Sequence, residues 1–261
     1  MITAAALCPA PPLLARELSG QTEILPDLRH ACTVAVAHLV AAAPDVIAVV
    51  GPADLTATWD AAGQLDLTAY APALARGVLA STALASTVAP APVSRARAAA
   101  AADKRPVLPL ALGLGTRLLD RAGYDGPRAL WSVAGTAGPA ECVRLGLDLA
   151  APKERVALLV MGDGSARRSV SAPGYLDLRA EPFDTEVERA VREGDVRALA
   201  ALDPDLAHEL MVSGRPAWQV LAAAIGGNGL GADADGGTPR TEILYADAPF
   251  GVAYLVAALS M

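Results

Sequence analysis

The chain is poor in the residues that carry most enzyme chemistry, with 3 histidines and 3 cysteines in 261 residues. A histidine-rich metal cage, a cysteine zinc module and a disulfide framework each need more ligands than that, unless carboxylates do most of the binding. Cys8, Cys32 and Cys142 are odd in number and far apart in sequence, so they read as small buried hydrophobes in a reducing cytoplasm. Aromatic residues make up only 4%, which leaves Ala, Val and Leu to build a closely packed core. Basic residues are outnumbered 21 to 28, and the net charge of −7 argues against a nucleic-acid partner, because phosphate-backbone affinity needs clustered Lys and Arg. Long hydrophobic runs are missing as well. No stretch reaches the ~18 apolar residues of a membrane-spanning helix. Met1 to Leu7 lacks a basic flank, and Pro9, Pro11 and Pro12 interrupt it before a signal core forms. A cytoplasmic protein without a membrane partner is expected.

What the chain has is apolar bulk, 53% of its residues, arranged in alternating runs. Met1 to Cys8 and Val46 to Val50 read as buried strands. Between them, Leu28, Ala31, Cys32, Ala35, Val36, Leu39 and Val40 recur at helical spacing, with Pro26 and Asp27 as a start signal. Strand, helix, strand predicts a βαβ unit with a parallel pair. Further on, Arg128 to Val133 and Arg155 to Met161 predict strands, and Pro109 to Ala122 and Pro139 to Ala150 predict helices. Helical runs follow over Asp184 to Glu193, Val196 to Leu202, Pro204 to Val212 and Pro216 to Ile225. Two closing strands are expected over Thr241 to Ala246 and Phe250 to Ala257. Ala71 to Pro106 reads as a weakly specified, Ala- and Pro-rich segment, and Gly226 to Gly237 as a flexible loop. The pattern predicts one domain over residues 1–261: an α/β three-layer sandwich whose central mixed, mostly parallel sheet is flanked by helices.

In such sheets, sites gather at the carboxyl ends of the strands. The strand ending at Met161 runs into Gly162-Asp163-Gly164-Ser165-Ala166-Arg167-Arg168, where backbone N–H groups and two guanidinium groups point to an anion. The bland reading is a solvated turn, since neither the Walker pattern nor GxGxxG is matched. Asp54, after Gly51-Pro52, is a candidate base or metal ligand, and equally an Asx-turn or cap residue. Cys8 in its apolar run reads as an inert thiol. His30 and His38 are too far apart on one helix to clamp a metal, and His208 stands alone. No catalytic residue is assigned from these patterns.

Three segments together carry a resemblance: Cys8-Pro9-Ala10-Pro11-Pro12-Leu13-Leu14, Val49-Val50-Gly51-Pro52-Ala53-Asp54, and Val160-Met161-Gly162-Asp163-Gly164-Ser165. With Phe183-Asp184, Leu202-Asp203-Pro204 and Ser213-Gly214-Arg215-Pro216-Ala217-Trp218 downstream, the chain resembles the catalytic, LigB-type subunit of the class III extradiol dioxygenases and the related Memo-like proteins. Active relatives hold Fe(II) with two histidines and a glutamate, leaving open positions for substrate and O₂. The resemblance implies that this set is gone. Ala10 stands at the first histidine position, Ala53 and Asp54 at the second, Ala217 or Arg215 at the carboxylate, and Arg167 or Arg168 at the acid/base histidine. The expectation is a scaffold without bound iron or another cofactor. It would bind a small anionic or aromatic ligand in a pocket lined by Ala10, Asp54, Asp163, Ser165, Arg167 and Arg168. Two alternatives stay open: a ring-opening dioxygenase with a rearranged Fe(II) site borrowing His208 or Cys8, and a metal-independent hydrolase or transferase using the Gly162 to Arg168 loop. The resemblance also admits a homodimer.

Overall fold

The computed structural model describes residues 1–19, 23–70, 105–227 and 239–261. Its frame is a sheet in the order β3-β6-β2-β7-β1-β9-β8. The strands span Ile2–Cys8 (β1), Val46–Ala53 (β2), Ala57–Trp59 (β3), Arg128–Ala134 (β6), Val156–Met161 (β7), Arg240–Asp247 (β8) and Tyr254–Ser260 (β9). The four central strands β6, β2, β7 and β1 run parallel, and β3, β9 and β8 add antiparallel edges. Gln64–Leu65 (β4) and Val107–Leu108 (β5) form a separate parallel pair.

Period-two alternation divides each central strand between two cores. In β7, Val156, Leu158 and Val160 face one core, while Ala157, Leu159 and Met161 face the other. This two-sided burial explains why β1 and β7 read as unbroken apolar runs rather than as alternating patterns. Helices Pro26–Ala41 (α1) and Leu110–Arg121 (α2) cover one face. The other is covered by Pro139–Ala150 (α3), Ala180–Glu193 (α4), Val196–Ala200 (α5), Pro204–Glu209 (α6) and Arg215–Gly226 (α7). The expected three-layer α/β sandwich is thus the observed one. No helix among the described residues is long and apolar enough to cross a membrane.

Four expectations are corrected. The strands of the first βαβ unit are parallel but not paired, because β7 lies between β1 and β2 and bonds to both. The final strand starts at Tyr254, not Phe250, since Ala248 to Gly251 closes a turn in which the Gly251 N–H donates to the Ala248 carbonyl. Helix α4 starts at Ala180, four residues before Asp184, and Pro182 fits in its first turn, where a missing N–H is harmless. The short strands β3, β4 and β5 were not expected. Almost all of the Ala71 to Pro106 segment and of the Gly226 to Gly237 loop lies outside the described residues.

Candidate functional site

Strand β7 leaves the sheet between β1 and the start of α7, and the backbone there passes through a very narrow gap. A Cβ on Gly162 would lie 2.4 Å from the Gly214 Cα, and one on Gly214 would lie 2.4 Å from the Trp218 ring, so both glycines are dictated by close approach. The crossing is stitched on both sides of Asp163: its N–H donates to Ser213 Oγ at 3.0 Å, and its carbonyl accepts the Gly214 N–H at 2.9 Å.

The Asp163 side chain turns to the exit of β1. Its Oδ1 accepts the Ala10 N–H at 2.7 Å, so Ala10 contributes through its backbone and its methyl is buried. Burial pushes the Asp163 carboxyl up to about 6, against the opposite pull of the Ala10 N–H. Tyr254 is its neighbour across the edge, and burial, with the Asp163 charge second, drives that phenol well above its usual value. Asp163 keeps a partly exposed edge at the end of β7.

Two residues further on, Ser165 is fully buried and locked to Asp184 of α4. Its N–H donates to Oδ1 at 2.9 Å and its hydroxyl to Oδ2 at 2.5 Å. Arg168 closes the knot, reaching Asp184 at 3.3 Å and Glu181 at 3.1 Å. Burial raises the Asp184 carboxyl in spite of these donors. Beside this knot lies a cavity of about 250 Å³, bordered by Arg168, Glu181, Asp184, Glu188, Asp247 and Trp218 among others. Carboxylates dominate its polar wall, and its only guanidinium is already paired.

Of the six residues expected to line one pocket, only Arg168 borders this cavity. Asp163 and Ser165 sit on adjoining parts of the same loop, with Ala10 joined to them through Asp163. Asp54 is exposed on the turn after β2 and makes no hydrogen bond or ion pair among the described residues. Arg167 is half-buried with its Nε lacking a partner. The N–H groups of Gly162, Asp163, Gly164, Ser165, Ala166 and Arg168 all donate within the fold, to Cys8, Ser213, Ala253, Asp184, Leu210 and Gly251 respectively. The anticipated cradle of free N–H groups is therefore absent at those six positions. The reason is that the end of β1, the turns that precede β9 and α7, helix α4 and the residue after α6 all supply acceptors to the loop.

Cys8 meets Cys32 in the α1–α2 core, and this thiol neighbour and burial together raise the Cys8 thiol well above its usual range. His30 and His208 are exposed, and His38 lies 3.2 Å from Ser260 Oγ. Arg215 is buried and donates to the carbonyls of Ala137 and Gly135 at 2.5 and 2.8 Å and to Gln219 Oε1 at 3.0 Å. It fastens α7 to the exit of β6. Among the described residues, no three His, Cys, Asp or Glu side chains converge to hold a metal ion. Sequence reasoning missed Tyr254 and named Arg215 only as a replaced ligand position, not as a clamp; their partners are 91 and 78 residues away in sequence, a separation no local pattern reports.

No protein-family model matches the chain, and none of the curated proteins does. Among solved structures, it is similar to the uncharacterized protein JW3007 from Escherichia coli K12, at 14% identity and a TM-score of 0.53, over 99% of this chain and 100% of that one. That likeness is one of fold.

Proposed function

We propose that this chain is a non-catalytic small-molecule-binding protein on an extradiol-dioxygenase-like scaffold that has lost its iron site, taking its ligand at the exit of β7. The observation that carries this reading is the Ala10 N–H on Asp163 at 2.7 Å. Where the resembled family needs an imidazole, this chain uses its backbone to hold a carboxylate. The other positions agree: Ala217 has only a methyl group, and Arg215 is a buried cation bound to carbonyls, so neither accepts Fe(II). The acidic wall of the adjoining cavity favours a small aromatic molecule that is neutral or cationic over an anionic one. An anionic ligand needs a different surface.

Anaerobic Fe(II) loading, desalting and elemental analysis, followed by a catechol panel read by absorbance, test the reading. Iron far below one per chain and an unchanged spectrum are expected. Stoichiometric iron or a ring-opened product overturns it. A titration series of aromatic amines against the matching carboxylates tests the ligand class, and preferential saturable binding of the amines is expected.

A second reading, a metal-independent acid–base enzyme, is favoured by one observation: the Asp163 carboxyl near 6 stands beside Tyr254 at an accessible strand exit. It predicts turnover that Asp163→Asn abolishes while ligand affinity persists.

A further inference from the structure

A second cavity, of about 390 Å³, opens on the α1–α2 side of the sheet, lined by Leu14, Arg16, Arg29, Thr33, Leu118 and Arg121. Three of its six lining residues are arginines, in a chain whose net charge is −7. Arg29 forms the floor at 8% exposure, and Arg16 and Arg121 stand on the open rim.

The floor arginine is rigidly placed. It donates from Nε to the Ile24 carbonyl at 2.9 Å, from Nη1 to Leu14 at 3.2 Å, and from Nη2 to Leu13 at 2.5 Å and Ser19 Oγ at 2.6 Å. All four acceptors are neutral. A guanidinium has five N–H groups, so one Nη1 hydrogen remains uncommitted. Arg121 reaches the same Leu14 carbonyl at 3.3 Å, and Arg16 makes no hydrogen bond or ion pair through its side chain among the described residues. Glu17 pairs with Arg117 rather than with any of the three, though its charge is still felt at Arg29 and Arg121. None of the three arginines forms an ion pair among the described residues. Burial, then the charges of Arg16 and Arg121, lower the Arg29 pKa against the smaller opposite pull of Glu23 and Glu17, as expected of cations that feel one another in a partly dry space.

A purely structural role explains the four bonds of Arg29, which tie the β1–α1 segment to α1. It does not explain why two more unpaired guanidinium groups converge there. Like charges brought together with no carboxylate in direct contact are unfavourable, and a bound oxyanion removes the penalty. Thr33 Oγ1 gives its proton to the Arg29 carbonyl at 2.9 Å and so faces the cavity as an acceptor, suited to a ligand hydroxyl. Leu14 and Leu118 supply apolar wall for a short carbon skeleton.

We propose that this pocket binds a small phosphorylated polyol, its phosphate held by Arg16, Arg121 and the floor of Arg29. The site is independent of the β7 exit and opposite to it in charge preference.

The test uses the full chain and two probes, inorganic phosphate and glycerol 3-phosphate, in isothermal titration at constant ionic strength, with glycerol and sodium chloride as controls. Saturable heat with both phosphates, tighter for glycerol 3-phosphate, is expected. Arg16→Gln and Arg121→Gln should each weaken binding about tenfold, the loss of one charge-assisted hydrogen bond, with no fall in melting temperature. Those rim positions are chosen because Arg29 also holds the fold. The proposal is overturned by an absence of saturable heat, by chloride giving the same response, or by both rim variants keeping full affinity.

Discussion

The two cavities treat charge in opposite ways. At the β7 exit, Arg168 is neutralised by Asp184 and Glu181, Ser165 is held by the same Asp184, and the loop N–H groups are absorbed by neighbouring strands and helices. Between α1 and α2, the guanidinium groups of Arg29 and Arg121 share the Leu14 carbonyl, Arg16 stands beside them, and among the described residues no carboxylate is paired to any of the three. The difference shows that charged side chains in a polar sequence motif need not be available. Gly162 to Arg168 is the most conspicuous loop in the sequence, and it is the self-satisfied region. The arginines left without counter-ions come from three separate segments that form no motif.

The sharpest way to break this comparison is to force apart the tight crossing of Gly162 and Gly214. Gly162→Ala places a Cβ against the Gly214 backbone, where no rotamer change relieves it. A loss of about 3 kcal/mol is expected from such overpacking, read as a lower urea midpoint with unchanged slope. A near-neutral result would mean that the start of α7 shifts easily and that the crossing is not tightly packed. Next in size is Asp184→Ala, which strands the Ser165 N–H and hydroxyl and half of the Arg168 pairing. It should lower stability by about 2 kcal/mol. Asp184→Asn should recover part of that by keeping an oxygen acceptor for the Ser165 N–H.

How much of this was legible follows from the same contrast. The apolar runs of β1, β2, β6 and β7 and the helical periodicity of α1, α2 and α3 are local signals, and each appears within a few residues of its expected place. Strands β3, β4 and β5 are two or three residues long and have no period to read. The insertion of β7 between β1 and β2 depends on pairings more than 100 residues apart, which strand propensity does not encode. At the site, the sequence pointed to Asp163 and Ser165 because glycines flank them. It overstated Arg168 because Asp184 and Glu181 approach from another element, and Arg29 passed unnoticed because it reads as one polar position on an amphipathic helix.

Proton linkage sharpens the comparison further. The Asp163 carboxyl rises from its ordinary 3.8 to about 6 in the folded chain. A raised folded pKa means that the unfolded chain releases this proton first as pH rises. The contribution is therefore fully present below about pH 4, is lost as pH rises between about 4 and 6, and is constant above. Allowing for its partial exposure, about 1 to 2 kcal/mol is at stake. Asp163→Asn keeps an acceptor for the Ala10 N–H and has no proton to lose. Its stability relative to the parent chain should rise by that amount between pH 4 and 7, measured by urea unfolding at each pH. A flat difference would show that Asp163 is better hydrated than its place at the strand exit implies.

The smallest expected effect bears on the other cavity, and its sign matters more than its size. If the rim arginines of the α1–α2 pocket were structural, removing either would destabilise the chain, as removing Asp184 does at the β7 exit. If they are held together against their own repulsion, Arg16→Gln should leave stability unchanged or raise it by up to about 0.5 kcal/mol in low salt. That gain should vanish at molar salt, where the screening length falls to about 3 Å. The parent chain should also gain melting temperature from phosphate in a saturable way that the variant lacks, because a ligand stabilises only the state that binds it. A stability loss in Arg16→Gln comparable to that of Asp184→Ala would make the two regions alike, each using its charges to hold the fold together.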